Sequence, residues 1–323
     1  MRMKKIVVTG ALGHIGSHLI RTLPLAFPDS KIVLIDNFLC QRYCSLFNLP
    51  SNGQYRFIEG DIMTADLESV FSGAQVVIHL AAITDAANSF SHEEEVNRTN
   101  YEGTKRVAQA CMKKSAPLVF LSTTSVYGTQ KDVVDEFCSE EELAPQSPYA
   151  ASKLKSEKYL LQLKNERNFP FVICRFGTIY GTSVGMRFHT AVNKFCWQAV
   201  NGQPITVWKT ALNQKRPYLY LDDASNAIIY IIRKNLFGGE IYNILTSNST
   251  VQDIIDVIKE KIPTLSIQLT DNKIMNQLSY KVSNDRFKKT GFSYHGSFKS
   301  GINETLELLG GISNWKDLAE KKE

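Results

Sequence analysis

The stretch Val7-Val8-Thr9-Gly10-Ala11-Leu12-Gly13-His14-Ile15-Gly16 decides the fold. A short apolar run gives way to three glycines and then to a segment of helical period, Ile15 to Leu23. A strand that ends in glycines and runs straight into a helix aims backbone N–H groups and the positive end of the helix dipole at one place, and a pyrophosphate suits that place. Gly10, Gly13 and Gly16 stand there as Gly-x-x-Gly-x-x-Gly, one residue wider in the first gap than the commoner fingerprint. With strand and helix patterns on both sides, the stretch reads as the opening of a dinucleotide-binding domain.

Roughly twenty residues beyond the last glycine, a second apolar run, Lys31 to Asp36, ends in an acid. An acidic side chain there accepts hydrogen bonds from the adenosine ribose hydroxyls and repels a ribose phosphate, which favours NAD over NADP. Arg42 downstream would soften that preference. The other reading of Asp36 is a cap on the loop before Asn37.

Further short runs rich in Val, Ile and Phe follow at Tyr55 to Glu59, Val76 to Leu80, Leu118 to Ser122 and Phe171 to Phe176, and suit strands buried on both faces. Helical patterns lie between them at Ala65 to Phe71, Ser91 to Ser115 and Pro148 to Glu166. This alternation predicts an α/β protein, a Rossmann-type doubly wound parallel sheet, because parallel neighbours need crossovers that place helices on both faces. After Phe176 the rhythm becomes irregular: a helix at Arg187 to Val200, a strand at Ile205 to Trp208, a turn cluster around Lys209 to Arg216, a helix at Asp222 to Ile232 and a strand at Glu240 to Leu245. Helices at Val251 to Lys261 and Ser297 to Leu309 follow. Residues 1–178 are expected to form the cofactor domain, with 220–247 returning to it, and 179–219 and 248–323 a smaller α/β substrate-binding region.

The 323 residues, 43% hydrophobic and 21% charged, suffice for one large or two unequal well-buried units. The formal charge of +5 is spread along the chain, which suits an anionic small ligand and gives no nucleic-acid groove. Six cysteines are scattered without a disulfide-framework spacing, so a reducing, cytoplasmic compartment is expected. Cys40 and Cys44 could face one another on a turn, yet no second Cys or His pair follows, and no metal is expected. Arg2, Lys4 and Lys5 precede an apolar run too short for a signal peptide, and no window approaches a membrane span. His79 reads as a satisfied core histidine, His14 and His18 lack a third metal ligand, and Glu93-Glu94-Glu95 reads as a solvated first helical turn. Trp197 and Trp208 suit either a sugar pocket or the core.

Tyr149-Ala150-Ala151-Ser152-Lys153 places a phenol and an ammonium four apart on one helix face. A Tyr base working near neutrality needs its pKa lowered by roughly three units, which a nearby Lys and a positive nicotinamide ring together can supply.

With Thr9 to Gly16, Asp36, Gly60-Asp61-Ile62, His79-Leu80-Ala81-Ala82, Asn100-Tyr101-Glu102-Gly103-Thr104, Ser122-Thr123-Thr124-Ser125-Val126-Tyr127-Gly128 and Tyr149 to Lys153, the chain resembles the extended short-chain dehydrogenase/reductases, in their nucleotide-sugar epimerase and dehydratase branch. Arg175-Phe176-Gly177-Thr178-Ile179-Tyr180-Gly181, Arg216 to Asp223 and Ile241-Tyr242-Asn243-Ile244 extend the likeness over nearly the whole length. The resemblance implies Tyr149 as acid/base on a sugar hydroxyl or ketone, Lys153 on the nicotinamide ribose, and Thr123 on the reacting oxygen. It implies cofactor contacts from Gly10, Gly13, His14, Ile15, Gly16, Asp36, Asn37, Asp61, Ile62, Leu80, Ala81, Ala82 and Asn100. Substrate contacts are implied for Thr123, Thr124, Tyr149 and Thr178, with Arg216 on the diphosphate.

In the related 4,6-dehydratases, the two residues after the catalytic Thr are Asp and Glu, which water elimination needs. Here they are Thr124 and Ser125, and Thr178 replaces a usual Asn. The expected activity is therefore a nucleotide-sugar epimerase, at C4, working through a transient keto sugar with bound NAD. A nucleotide-sugar dehydrogenase or reductase with net hydride transfer is the alternative, and a non-catalytic dinucleotide sensor on the same fold is a third reading. The resemblance also implies a homodimer built on the Ser91 to Ser115 and Pro148 to Glu166 helices.

Overall fold

The computed structural model describes residues 4–86, 88–128, 132–271 and 279–311. Arg2 of the basic N-terminal run and the last residues of the 248–323 region lie outside them. Strands β1 (Lys4–Thr9), β2 (Ser30–Asp36), β3 (Gln54–Glu59), β4 (Val76–His79), β5 (Leu118–Thr123), β6 (Phe171–Phe176) and β7 (Gly238–Ile244) form one sheet in the order β7-β6-β5-β4-β1-β2-β3. Every neighbouring pair is parallel. All six residues of β5 and all six of β6 are buried, which is why each begins as an apolar run without alternation, broken only by Ser122 and Thr123 at the end of β5 and by Arg175 in β6. The strand order reverses between β1 and β4, and the carboxyl ends of those strands open a crevice there.

The helices are α1 (His14–Ala26), α2 (Leu67–Phe71), α3 (Glu93–Asn97), α4 (Gly103–Lys113), α5 (Pro148–Arg167), α6 (Ala191–Val200), α7 (Leu221–Lys234), α8 (Val251–Lys261), α9 (Asp285–Lys288) and α10 (Phe298–Leu309). One apolar layer packs α1 and α7 against the sheet through Leu19, Ile20, Ile228 and Ile231. The opposite layer sets Val107, Cys111, Leu160 and Leu163 of α4 and α5 against Val77, Phe120 and Ile173. A third core joins α6, α8 and α10 through Val192, Cys196, Ile254, Ile258 and Ile302, and a two-stranded sheet of Ile205–Trp208 and Ile267–Thr270 lies in the same region. Among the described residues, no helix is long and apolar enough to cross a membrane.

Three expectations need correction. The continuous Ser91 to Ser115 helix is broken by a π turn, Arg98–Glu102, between α3 and α4. The helix placed at Arg187 begins only at Ala191, so Arg187 belongs to the preceding loop. Within the expected turn-rich stretch, Arg216 starts a strand, Arg216–Tyr220, which pairs in parallel with Thr178–Tyr180. Trp197 and Trp208 are 37% and 40% exposed and fit neither the core nor the crevice.

Candidate active site

A cavity of about 650 Å³ occupies the crevice. Gly10 turns the chain at φ +65°, and a Cβ on it would lie 2.5 Å from the Ala81 nitrogen. Gly16 is equally confined, 2.5 Å from the Gly10 carbonyl oxygen. Gly13 differs: its nearest neighbour would be 3.4 Å away and the next, Arg42 Nη1, 4.0 Å. It caps α1 with no side-chain hydrogen bond, so the helix N-terminus faces the cavity through bare backbone. That open cradle fits a pyrophosphate.

Asp36 at the end of β2 accepts from the Leu12 N–H at 3.0 Å and from the Phe38 N–H at 3.0 Å. The carboxylate thus both closes the glycine turn and lines the cavity, and with about four lone-pair sites it retains capacity for ribose hydroxyls. Asn37 donates to Asp61 at 3.0 Å, and Asp61 accepts from the Met63 N–H at 2.7 Å. Asp61, Ile62, Leu80, Ala81 and Ala82 line the cavity together with His14 and Ile15. Asn100 does not. It is fully buried on the π turn, exchanging hydrogen bonds with the Ile83 backbone at 2.8 and 2.9 Å and donating to Ser152 at 3.0 Å. It holds the wall that follows Ala82 instead of touching a ligand.

Tyr149 and Lys153 rise from the first two turns of α5. Ser147 accepts from the Ala150 N–H and Pro148 occupies the first turn, so both residue types favour a helix start here. Thr123 ends β5, takes the Ser125 N–H at 3.1 Å and hydrogen-bonds Tyr149. Burial pushes the Tyr149 phenol above its ordinary pKa, while the Arg187 guanidinium and the Thr123 hydrogen bond pull it back. Lysine was expected to exert that pull, whereas the cation acting on the phenol is Arg187. Lys153 is itself depressed to about 8 by burial, against an upward pull from Glu157. Its ammonium lies 5.0 Å from the centre of the Phe120 ring.

Arg187 was missed by the sequence reading. Its loop reaches the glycine turn because Gly185 leaves room there: a Cβ would lie 2.5 Å from the Leu12 oxygen, and its N–H donates to Ser17 at 2.9 Å. Ser183 pairs with His14 Nδ1 at 2.8 Å. Arg187 donates to Thr84, and its Nε is buried without a partner. His14 Nε2 is likewise buried and unpartnered, and burial, then Arg187, hold that imidazole neutral. His189 is depressed to about 4, chiefly by burial. Arg187 and Arg42 thus give the cavity a cationic lining, beside the neutral imidazoles of His14 and His189.

Thr178 lines the cavity, but Thr124 and Arg216 do not. Thr124 is buried and donates to the Phe176 carbonyl at 3.2 Å. Arg216 donates to the Lys215 carbonyl at 3.3 Å and to Gln214 at 3.0 Å, with its guanidinium 5.6 Å from the Tyr280 ring centre. His79 is a satisfied core residue between Thr9 at 2.7 Å and Thr104 at 3.1 Å. Among the described residues, no cluster of three metal-ligating side chains is present.

A glycine-cradled helix terminus beside a Thr, a Tyr and a Lys defines a dinucleotide-dependent protein of the short-chain dehydrogenase/reductase class. The NAD dependent epimerase/dehydratase family matches residues 6–244, and the chain belongs to that family. It is 30% identical over 97% of its length to a trifunctional UDP-glucose 4,6-dehydratase/UDP-4-keto-6-deoxy-D-glucose 3,5-epimerase/UDP-4-keto-L-rhamnose-reductase of Arabidopsis thaliana, of which it spans 48%. The chain thus spans about half the length of these plant relatives. A Bacillus subtilis protein described as an uncharacterized UDP-glucose epimerase is 33% identical, over 77% of this chain and 82% of that one. The solved structure of UDP-glucuronic acid 4-epimerase from Bacillus cereus, in complex with UDP-glucuronic acid and NAD, is 27% identical. It superposes with a TM-score of 0.84 over 95% of this chain and 99% of that one.

Proposed function

We propose that the protein is a nucleotide-sugar epimerase that uses NAD and acts at C4 through a transient keto sugar. The observation that carries this reading is the convergence of Thr123, Tyr149 and Lys153 on the cavity that also receives the glycine turn. The open face of Gly13, the Asp36 carboxylate and the apolar Ile62, Ala81 and Ala82 would hold the dinucleotide, and a bound nicotinamide supplies the hydride acceptor and donor. Tyr149 takes the proton of the sugar hydroxyl at its phenolic oxygen and later returns it. Thr123 orients the reacting oxygen, Arg187 supplies the positive charge that acts on the phenol, and Lys153 would hold the nicotinamide ribose. Arg187 and Arg42 face the cavity and suit the charge of a nucleoside diphosphate sugar. Arg216, outside the cavity wall, is not assigned to that contact.

Dehydratases appear among the relatives, but Thr124 and Ser125 offer no carboxylic acid for water elimination, which supports epimerisation. The Bacillus cereus 4-epimerase supports it further. Net dehydrogenation or reduction is the second reading, because the same three residues serve it. The six free thiols suit a cytoplasmic setting, and helices α4 and α5 are the proposed homodimer surface.

Purified protein incubated with UDP-, GDP-, CDP- and dTDP-sugars is expected to yield a C4 epimer of one donor. Tyr149→Phe should lose at least about a hundredfold in turnover while binding that donor as the wild type does. Undiminished turnover by Tyr149→Phe would remove the assigned mechanism.

A further inference from the structure

Tyr149, Lys153 and Glu157 recur every fourth residue on one face of α5. Glu157 is 1% exposed and Arg175, on β6, 2%. The Arg175 Nε donates to Glu157 Oε1 at 3.1 Å and Oε2 at 3.2 Å, and Nη2 donates to Oε2 at 2.7 Å. Nη1 donates to the Tyr127 hydroxyl at 2.9 Å, which lies 2.8 Å from Asn243 Oδ1 on β7. Ser122 completes the network by donating to Glu157 Oε1. That serine immediately precedes Thr123.

A fully buried ion pair is a weak source of net stability, because the desolvation of both ions offsets their attraction; apolar residues of similar volume often serve the fold as well. What this pair supplies is geometry. Glu157 lies one helical turn from Lys153, and its hydrogen bonds run to the residue before Thr123 and to the strand beside β5. The helix that carries the phenol and ammonium is thereby fastened to the strand end that carries the hydroxyl.

We propose that the Glu157–Arg175 pair is a positioning device for the reaction, holding Lys153 and Thr123 in register with Tyr149 and keeping a negative charge one turn behind the ammonium. The proposal rests on the reading of Thr123, Tyr149 and Lys153 as the reacting groups. The groups around Lys153 are few. Glu157 and Tyr149 share its helix, the Phe120 ring comes from β5, and His79 on β4 stays neutral, its pKa pushed down to about 3 by burial. Arg187 acts on Tyr149 from its loop, and Arg175 is bound to Glu157. Burial depresses Lys153 and Glu157 opposes that shift, so neutralising Glu157 makes the ammonium lose its proton at lower pH.

The test uses the full chain with its cofactor. The double variant Glu157→Leu/Arg175→Met is expected to melt at or above the wild-type temperature. Its kcat should fall about tenfold or more with KM within about twofold, and its alkaline limb should move down by about one pH unit. In protein carrying ¹³C-labelled lysine, the Lys153 signal, assigned through Lys153→Met, should titrate at lower pH in Glu157→Gln than in the wild type. Wild-type kcat and pH profile in the double variant would overturn the proposal. A double variant that cannot fold, or a Lys153 titration unmoved in Glu157→Gln, would overturn it equally. If the wild type itself turns over no nucleotide sugar, the functional reading fails, and the lysine titration still decides the coupling to Glu157.

Discussion

Gly10 and Gly13 are glycines for different reasons. Gly10 carries φ +65°, and a Cβ there would strike the backbone of Ala81 at 2.5 Å. Gly13 has φ −68° and ψ −179°, which any residue adopts, and its space opens toward the cavity. Gly10→Ala should therefore cost about 1–3 kcal/mol of stability, through backbone strain and displacement of the Leu80-Ala81 backbone that follows β4. Gly13→Ala should leave stability within about 0.5 kcal/mol and weaken NAD binding about tenfold or more, by filling space meant for phosphate oxygens. Denaturant titration alongside cofactor titration checks both; equal effects on stability from the two variants would contradict the assignment. The glycine turn, Asp36, Thr123, Tyr149 and Lys153 were legible in the sequence because each occupies a fixed place relative to a strand end or helix start. Arg187 was not. It is a lone basic residue in a loop, and only the close approach of Gly185 to the glycine turn brings it to the phenol. The turn-rich run from Gly181 to Gly185 was the available signal.

At the scale of elements, the strands buried on both faces were the most legible, since Phe171–Phe176 is buried throughout and apolar at every position but Arg175. Short strands such as Thr178–Tyr180 and Ser247–Ser249 are made by their neighbours and carry too few residues for any period to register. The π turn at Arg98–Glu102 was equally invisible, because a single wide turn of five residues is too short for its own period to register. It directs Asn100 into the wall behind Ala82, where the sequence implied a ligand contact. If α4 and α5 pair across a two-fold axis as proposed, the light-scattering mass should lie near twice 36.4 kDa. A mass near that of one chain at working concentration would remove the dimer.

Across the whole molecule, the buried histidine on β4 ties the glycine turn to the π-turn region through Thr9 and Thr104. Burial drives its pKa from 6.5 to about 3, so the unfolded chain binds a proton that the folded one refuses. The stabilising contribution is complete above the unfolded value and drains away as the pH falls toward the folded one. The wild type should lose roughly 2 kcal/mol from this group between about pH 7 and about pH 5. In His79→Gln that part of the loss should vanish. Identical pH slopes in the two proteins would contradict the buried neutral imidazole.

The fold and the glycine turn make this a dinucleotide protein, and the three residues beside the turn give the dinucleotide something to do. The proposed reaction turns on whether the hydride returns to the sugar. The direct measurement is to follow, in one reaction with the active nucleotide sugar, the near-ultraviolet absorbance of NADH and the configuration at C4 of the product. The epimer should accumulate with no net rise in NADH. A rise stoichiometric with substrate consumed, with no epimer formed, would contradict it.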